Sequence, residues 1–243
     1  MCGRYAVTLP PDAMVEFFQL LNRIEYPARY NIAPTQPIAA IWEEAGQRRV
    51  HLVRWGFVPG WVKDPREFPL IINARVEGMD RKPAFRDALK NTRCIVPASG
   101  YFEWHTRADG KKQPYFITRA DGRPMALAGL HATWSGPDGE EIDSAATITV
   151  PASADLAHIH DRMPAILPEA AIGPWLDVRN VRAPEAHQLA LPLPEGALKF
   201  HPVSTRVNSA RFDDPELIEE VVPEAPEPPR LKKAGGSGQL DLF

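Results

Sequence analysis

Arg93-Cys-Ile-Val-Pro-Ala-Ser-Gly-Tyr-Phe-Glu-Trp-His105 is the stretch that best indicates the fold of this 243-residue chain. Two short runs rich in β-branched and aromatic residues, Arg93–Pro97 and Phe102–His105, flank a small-residue segment, and such runs are typical of β-strands. Cys94 lies inside the first run, which favours a packed strand residue over a reactive thiol. The stretch therefore predicts two consecutive short strands.

Similar short elements continue on both sides of this stretch. The predicted strands are Ile38–Trp42 and Arg49–Trp55, paired around Glu44–Gln47, and then Gln113–Thr118, Met125–His131 and Ala145–Val150. The predicted helices are Pro11–Leu21, Arg81–Lys90 and a segment from a Ser153 cap to about Ile159. Because 26 prolines keep the elements short and the sequence lacks βαβ alternation, we expect a single compact, strand-rich α+β domain with short helices.

The composition excludes several classes of protein. No run approaches the roughly 18 apolar residues of a membrane span, and the N-terminus lacks the charged-then-apolar pattern of a signal peptide. Two cysteines are too few for a disulfide framework. We therefore expect a cytoplasmic protein without a membrane partner.

The net charge of −3 is distributed unevenly along the chain. Residues 1–119 carry 18 Lys and Arg against 12 Asp and Glu, a net +6, whereas residues 120–243 carry 10 against 19, a net −9. An acidic run between Asp213 and Glu220 supplies much of the negative charge. The charge pattern thus permits a polyanionic partner without requiring one.

The character of the sequence changes near Val222. Residues 222–238 are rich in Pro, Glu, Lys and Gly and hold too few apolar side chains to pack, which predicts a disordered, flexible linker after a folded domain at 2–221. Residues 239–243 resemble the bacterial sliding-clamp-binding pentapeptide, through Gln239, Leu240, Leu242 and Phe243. A tether that ends in such a peptide suits docking into a preformed hydrophobic pocket.

The N-terminus offers an unusual nucleophile. Cys2 follows Met1, and a small second residue permits enzymatic removal of the initiator. The exposed cysteine would carry an α-amine with a pKa of about 7.7–8.0 and a thiol with a pKa near 8.5. A 1,2-aminothiol condenses with an aldehyde to an imine, and the thiol then closes a five-membered thiazolidine ring. The plain alternative is a cysteine that merely follows the initiator.

Six short blocks of sequence resemble, in the same order, one known family. The blocks are Met1–Tyr5, Tyr30–Thr35, Arg54–Pro59, Ile72–Glu77, Pro97–Trp104 and Ile159–Pro164. They look like those of the SOS-response-associated peptidases, the abasic-site processing proteins, and the resemblance spans about residues 2–212. It implies a compact, strand-rich α+β domain that binds single-stranded DNA in the DNA damage response and cross-links itself to the aldehyde of an abasic site.

The resemblance and the chemistry of aldehyde capture together indicate four catalytic residues: Cys2, Asn73, Glu103 and His160. Imine formation needs proton transfers when the sugar ring opens, when the amine attacks and when water leaves. Glu103 is expected to transfer protons at the amine and sugar, with a pKa raised by burial. His160 is expected to act at the sugar hydroxyl, and Asn73 to position the amine or sugar.

Contacts with DNA are expected from residues near these four. The predicted phosphate ligands are Arg4, Arg75 and Arg162, and the predicted stacking surfaces for bases are Trp55, Trp104, Met163 and Pro164. The remaining histidines lack metal-ligand spacing, so we expect neither a metal nor a diffusible cofactor. We also expect a monomer, recruited to the nucleoid and replication forks through the clamp-binding-like peptide.

Three other functions stay open at this point. Met-Cys-Gly also opens the class II glutamine amidotransferases, in which an N-terminal cysteine hydrolyses an amide, although no glutamine-binding pattern accompanies it here. The family name allows a peptidase activity, which includes cleavage of the chain itself after Met1. The third function is a non-enzymatic DNA adaptor delivered by its tail. Cys2→Ala separates the adaptor, which would keep its function, from the enzymes, which would lose it.

Overall fold

The computed structural model describes residues 2–223, and within this range the chain forms thirteen β-strands and four α-helices. The strands are β1 (Tyr5–Val7), β2 (Arg29–Ile32), β3 (Pro37–Glu44), β4 (Gln47–Trp55), β5 (Asn73–Arg75), β6 (Arg93–Ala98), β7 (Gly100–Thr106), β8 (Lys112–Arg119), β9 (Met125–Ser135), β10 (Glu141–Pro151), β11 (Arg162–Pro164), β12 (Ile166–Leu167) and β13 (Leu198–Pro202). The helices are α1 (Pro11–Phe18), α2 (Pro83–Asn91), α3 (Glu169–Leu176) and α4 (Ala183–His187), with 3-10 turns at Thr205–Asn208 and Pro215–Ile218.

The larger sheet closes on itself as a five-stranded barrel. β10 pairs in parallel with β4 and antiparallel with β9, and antiparallel pairs link β4 to β3, β3 to β6 and β6 to β9. A sheet closed in this way has no exposed edge along the ring. The short strand β5 pairs in parallel with the C-terminal half of β10, with Asn73 opposite Thr147.

The smaller sheet has the strand order β13-β8-β7-β1-β2 and packs beside the barrel. Contact between the two sheets includes the buried pair Tyr5 and Trp55, whose rings meet edge to face at 5.2 Å. The indole of Trp55 also donates to the carbonyl of Ile72 at 3.1 Å. Trp55 is therefore a core residue that joins the sheets near the start of β5.

A buried arginine connects two helices to the barrel. Arg93 is 1% exposed, and its guanidinium donates to the carbonyls of Leu89, Trp175, Asp177 and Val181 at 2.5–2.9 Å. These carbonyls lie at the ends of α2 and α3 and just beyond α3, where helical hydrogen bonds run out. Arg93 thus supplies donors to groups that burial would otherwise leave unsatisfied.

The strand-rich α+β architecture is confirmed. The hairpin predicted at 38–55 is formed by β3 and β4, with Ala45 and Gly46 at the turn and both in left-handed conformations. Helix α1 ends at Phe18, three residues before the predicted end, because Gln19 is left-handed at φ 56°. The helix predicted from Ser153 to Ile159 is wrong, since these residues form only hydrogen-bonded turns, with Asp155 accepting from Gly196.

The last predicted parts of the chain lie outside the described residues. This applies to the linker at 222–238, apart from its first two positions, and to the whole clamp-binding-like peptide at 239–243. Among residues 2–223, no helix has both the length and the apolar character that a membrane crossing requires.

Candidate functional site

Cys2 lies just before β1, alongside β7. Tyr5 pairs with Tyr101, and the carbonyl of Arg4 accepts from the Phe102 amide at 3.0 Å, so continuing this register places Gly3 opposite Glu103. The side chain of Cys2 is fully buried, and its thiol contacts the carbonyl of Arg4 at 3.8 Å. The nucleophile predicted from the sequence is therefore held beside the strand that carries Glu103.

Asn73 fixes the backbone of Cys2. Its Nδ2 donates to the carbonyl of Cys2 at 2.8 Å, and its Oδ1 accepts from the hydroxyl of Thr147 at 2.5 Å. A carbonyl oxygen only accepts, so the contact with Cys2 determines which way the amide is oriented. Thr147 is fully buried on β10, and the barrel therefore orients the amide that holds Cys2.

Glu103 is a buried carboxyl group. It is 3% exposed, and burial raises its pKa to about 7, with the charge of Asp161 adding to the rise. Burial, followed by the charge on Glu103, also raises the pKa of the Cys2 thiol far above its ordinary range. At neutral pH the thiol is thus protonated, whereas Glu103 is balanced between a proton donor and a proton acceptor.

His160 follows the turns at 153–159, and the carbonyl of His158 in these turns contacts Nδ1 of His105 on β7 at 2.6 Å. Nδ1 of His160 accepts from the Arg162 amide at 3.0 Å and lies 2.9 Å from Oδ1 of Asp161. The carboxylate favours a protonated ring, but burial has the larger effect and lowers the pKa of His160 below its ordinary value. We assign the neutral tautomer with the proton on Nε2, because Nδ1 accepts from the amide.

Glu103 and His160 line an open cleft of about 460 Å³ together with Trp104, Lys112 and Asn208. Cys2 and Asn73 do not line it: Cys2 is buried beside Glu103, whose charge acts on its thiol, and Asn73 holds the Cys2 carbonyl. The segment before β1, the strands β5 and β7 and the segment before β11 thus bring all four predicted catalytic residues, Cys2, Asn73, Glu103 and His160, into one region. A carboxyl group with a pKa near 7 and a neutral imidazole are suited to moving protons at a reacting carbonyl.

The three predicted phosphate ligands lie in different environments. The guanidinium of Arg4 donates to Oδ1 of Asn31 and to the carbonyls of Val207 and Asn208 at 2.7–3.2 Å, so it ties the 3-10 turn to the site. Arg162 forms a two-pronged ion pair with Glu77 at 2.6 and 2.9 Å. Arg75 is exposed at the end of β5, next to the site.

Three of the four predicted stacking residues have little or no exposed surface in this structure. Trp55, Met163 and Pro164 are buried, and a base can stack only on a ring or side chain that it can reach. Trp104 is half-buried and lines the cleft, with its indole donating to Oδ1 of Asn208 at 2.7 Å. Trp104 therefore stays the candidate stacking surface.

Sequence reasoning missed Thr147, Lys112 and Asn208. Thr147 and Asn73 are 74 residues apart and meet only through the parallel pairing of β5 and β10. Lys112 reaches the cleft because it pairs with Thr106, two residues beyond Trp104 on β7. In the described part of the chain, no three His, Cys, Asp or Glu side chains converge as metal ligands.

Fold and site together define a class of α+β protein, with a closed barrel, a second sheet and a cysteine at position 2 beside a glutamate and a histidine. The family model of the SOS response associated peptidases matches residues 1–210. The chain belongs to this family.

Curated relatives and solved structures agree with this assignment. The chain is 35% identical over 222 residues to the abasic site processing protein YoqW of Bacillus subtilis, covering 90% of this chain and 99% of that protein. It is 34% identical to the abasic site processing protein YedK of Escherichia coli, covering 91% and 100%, and 31% identical to HMCES of Rattus norvegicus, covering 90% and 75%.

Among solved structures, a Bordetella bronchiseptica protein matches with a TM-score of 0.73 at 30% identity, covering 84% of this chain and 100% of that one. A Bacteroides thetaiotaomicron protein matches with a TM-score of 0.83 at 22% identity, covering 91% and 100%. The second likeness, at this identity, concerns the fold alone.

Proposed function

We propose that this protein captures abasic sites in single-stranded DNA as a covalent cross-link through Cys2. The observation that carries the proposal is the burial of Cys2 beside Glu103, with the Cys2 carbonyl held by Asn73 and the pKa of Glu103 at about 7. Relatives named as abasic site processing proteins support the choice of lesion.

The chemistry begins once Met1 has been removed and the α-amine of Cys2 is free. The amine attacks C1′ of the ring-opened sugar, and the carbinolamine loses one water to give an imine. The thiol then adds to the imine carbon as its proton passes to the imine nitrogen. The net change is the loss of one water and the formation of a C–N and a C–S bond.

The proton transfers fall to Glu103 and His160. Glu103, half-ionised near neutral pH, takes a proton from the α-ammonium group and later returns one to the departing hydroxyl. The same carboxylate takes the proton of the buried thiol as the sulfur attacks and delivers it to the imine nitrogen. His160, neutral with its proton on Nε2, donates to the sugar oxygen as the furanose opens.

Asn73 acts before the reaction by holding the Cys2 carbonyl, which restricts rotation of the nucleophile. A nucleophile that is already oriented gives up less entropy on reaching its transition state. The resulting cross-link would shield the lesion from strand cleavage. We propose that the C-terminal peptide 239–243 delivers the protein to replication forks by docking on a sliding clamp.

The test mixes purified protein with a single-stranded oligonucleotide that carries one abasic site and separates the products on a denaturing gel. The wild type is expected to give one shifted band of stoichiometric mass, and Cys2→Ala is expected to give none. An oligonucleotide without the lesion controls for non-covalent binding. A mass spectrum of the linked peptide separates a thiazolidine at Cys2 from a Schiff base at a lysine.

The alternatives make different predictions in the same experiment. If the protein were an adaptor, wild type and Cys2→Ala would bind DNA equally well, and neither would give a shifted band on the denaturing gel. An amidotransferase or peptidase would require Cys2 for the turnover of glutamine or a peptide, and would leave the abasic oligonucleotide unlinked. Absence of the cross-link with correctly processed wild type would therefore overturn the proposal.

A further inference from the structure

The cations near the cleft differ in how far their charge is already used. Arg162 is 10% exposed and paired through both guanidinium nitrogens with Glu77. The guanidinium of Arg4 donates three hydrogen bonds, to Asn31, Val207 and Asn208. A phosphate that approaches either residue has to compete with protein acceptors already in place.

Lys112 differs from both arginines. It is exposed, it lines the cleft together with Glu103 and His160, and its charge contributes to the lowered pKa of His160. Within residues 2–223, no carboxylate forms an ion pair with it, whereas the nearby Arg107 and Arg119 are paired with Asp109 and Asp121. Lys112 therefore presents an uncompensated ammonium group to whatever occupies the cleft.

The register of β7 and β8 places Lys112 on the same face as Trp104. Lys112 pairs with Thr106 and Pro114 pairs with Trp104, and alternate residues of a strand share one face. Asn208 stands across from this pair and accepts from the Trp104 indole through Oδ1, which turns the Nδ2 donor away from Trp104. An ammonium, an amide donor and an indole ring thus surround one opening.

We propose that Lys112 and the side-chain amide of Asn208 bind a backbone phosphate of the DNA strand next to the abasic sugar. The inference rests on the proposed function, because the sugar must enter the cleft to reach Cys2, Glu103 and His160. The phosphates attached to that sugar then lie within a few ångströms of the cleft wall. An anion there meets a free ammonium group and an oriented donor, as backbone phosphates do in other protein–DNA interfaces.

The arrangement gives Lys112 its main role in binding, with only a smaller effect on the chemical steps through the pKa of His160. We therefore expect Lys112→Ala to raise the DNA concentration needed for half-maximal cross-linking by a larger factor than it changes the rate at saturating DNA. Loss of a residue that merely supported the fold would instead lower the amount of active protein at every DNA concentration. Lys112→Arg keeps the charge and is expected to keep the wild-type affinity.

The salt dependence of binding provides the direct test. A fluorescent single strand with a tetrahydrofuran abasic analogue lacks the aldehyde, so its reversible binding to the full chain can be followed by anisotropy over a range of salt concentrations. Each phosphate contact with a single strand contributes about 0.7 to the slope of log K against log salt. We expect the slope for Lys112→Ala to be smaller than that of wild type by about 0.7.

Lys111→Ala is the matched control, because it removes the same charge at the adjacent position, which does not line the cleft. It is expected to keep the wild-type slope. An unchanged slope for Lys112→Ala, or an equal loss for Lys111→Ala, would overturn the inference. Failure of the proposed function would give a different result. Wild-type protein would then bind the analogue but form no cross-link with a natural abasic site. That result would refute the proposed chemistry, and the salt dependence of binding would still test the role of Lys112.

Discussion

The hydroxyl of Thr147 donates to Oδ1 of Asn73 at 2.5 Å, and the other end of the same amide holds the carbonyl of Cys2. A fully buried barrel residue therefore sets the orientation of the Cys2 carbonyl, and with it the proposed nucleophile, through the Asn73 amide alone. Thr147 does not reach the reacting atoms, so it is a positioning residue.

Thr147→Val is expected to slow cross-linking about fivefold, since it removes one hydrogen bond with a net worth of about 1 kcal/mol while keeping the shape of the side chain. Single-turnover rates at saturating abasic DNA measure the effect. Thr147→Ser restores the hydroxyl and is expected to recover most of the rate. A serine variant as slow as the valine variant would point to packing instead of orientation.

Glu103→Gln is expected to change the pH profile of the reaction. Because the pKa of Glu103 is about 7, the wild-type rate should rise with pH through this value as the carboxylate forms. Glutamine cannot accept the proton, so the variant should react slowly and its rate should no longer rise with pH near 7. Single-turnover rates between pH 5 and 9 measure this dependence. An unchanged rise in the variant would assign the pKa to another group.

The stability of the same variant is its control. The folded pKa of Glu103 lies above the usual 4.5, so the native state binds the proton more tightly, and this contribution is complete below about pH 4.5 and is lost as pH rises through about 7. At pH 8 the ionised carboxylate costs up to about 3 kcal/mol. Glu103→Gln should therefore be more stable than wild type in urea at pH 8 and similar at pH 4.5.

Trp104 and Trp55 form a matched pair of tests for base stacking. Trp104→Ala is expected to weaken binding of single-stranded DNA by about 1–3 kcal/mol, the usual worth of a stacked base. Trp55→Phe is expected to leave this affinity unchanged and to lower the thermal stability, because it removes the indole bond to Ile72 and contacts with Tyr5. Anisotropy and thermal melting separate the two effects, and a loss of affinity in Trp55→Phe with an unchanged melt would reverse the assignment.

Arg93→Met is expected to destabilise the domain by roughly 3–5 kcal/mol in urea unfolding. The substitution keeps much of the side-chain length but leaves four carbonyls at the ends of α2 and α3 and beyond without donors. Arg93→Lys retains the charge with fewer donors, so its free energy of unfolding should lie between those of wild type and Arg93→Met. Equal stabilities of Arg93→Met and wild type would mean that water replaces the guanidinium.

Deletion of Gln239–Phe243 is expected to abolish capture by an immobilised bacterial sliding clamp, because it removes the apolar side chains that would enter the clamp's pocket. Cross-linking by the purified protein should be unaffected. Asp241→Ala keeps the apolar residues and serves as the control. Clamp binding that survives the deletion would locate the interaction in another part of the chain.

Local sequence patterns were sufficient for much of the fold. The hairpin at 38–55 follows from two apolar runs separated by a Gly-containing turn. The burial of Trp55 follows from its position two residues after the core residue Val53, because alternate residues of a strand share one face. The turns at 153–159 were not predictable, because Asp155 is bound by Gly196, some forty residues further along.

The candidate site also contains residues that the sequence could predict and residues that it could not. Residues with distinctive chemistry, Cys2, Glu103 and His160, stand out in sequence because their neighbours carry a recognisable pattern. Thr147 and Lys112 are ordinary residues whose proposed roles depend on strand register, since a shift of one position would turn either side chain to the opposite face. Such positions become visible only when the pairing of the strands is known.

The hydrogen bond from Asn73 to Cys2 has a consequence for the order of events on the ribosome. Cys2 is among the first residues to be synthesised, yet its surroundings depend on residues 73, 103, 147 and 160, the last of which appears after roughly two-thirds of the chain. Until then a processed N-terminus would be an unshielded aminothiol, open to any cellular aldehyde. Closure of the barrel around β10 would therefore shield the Cys2 thiol, which is fully buried in the folded chain, as well as give it its geometry.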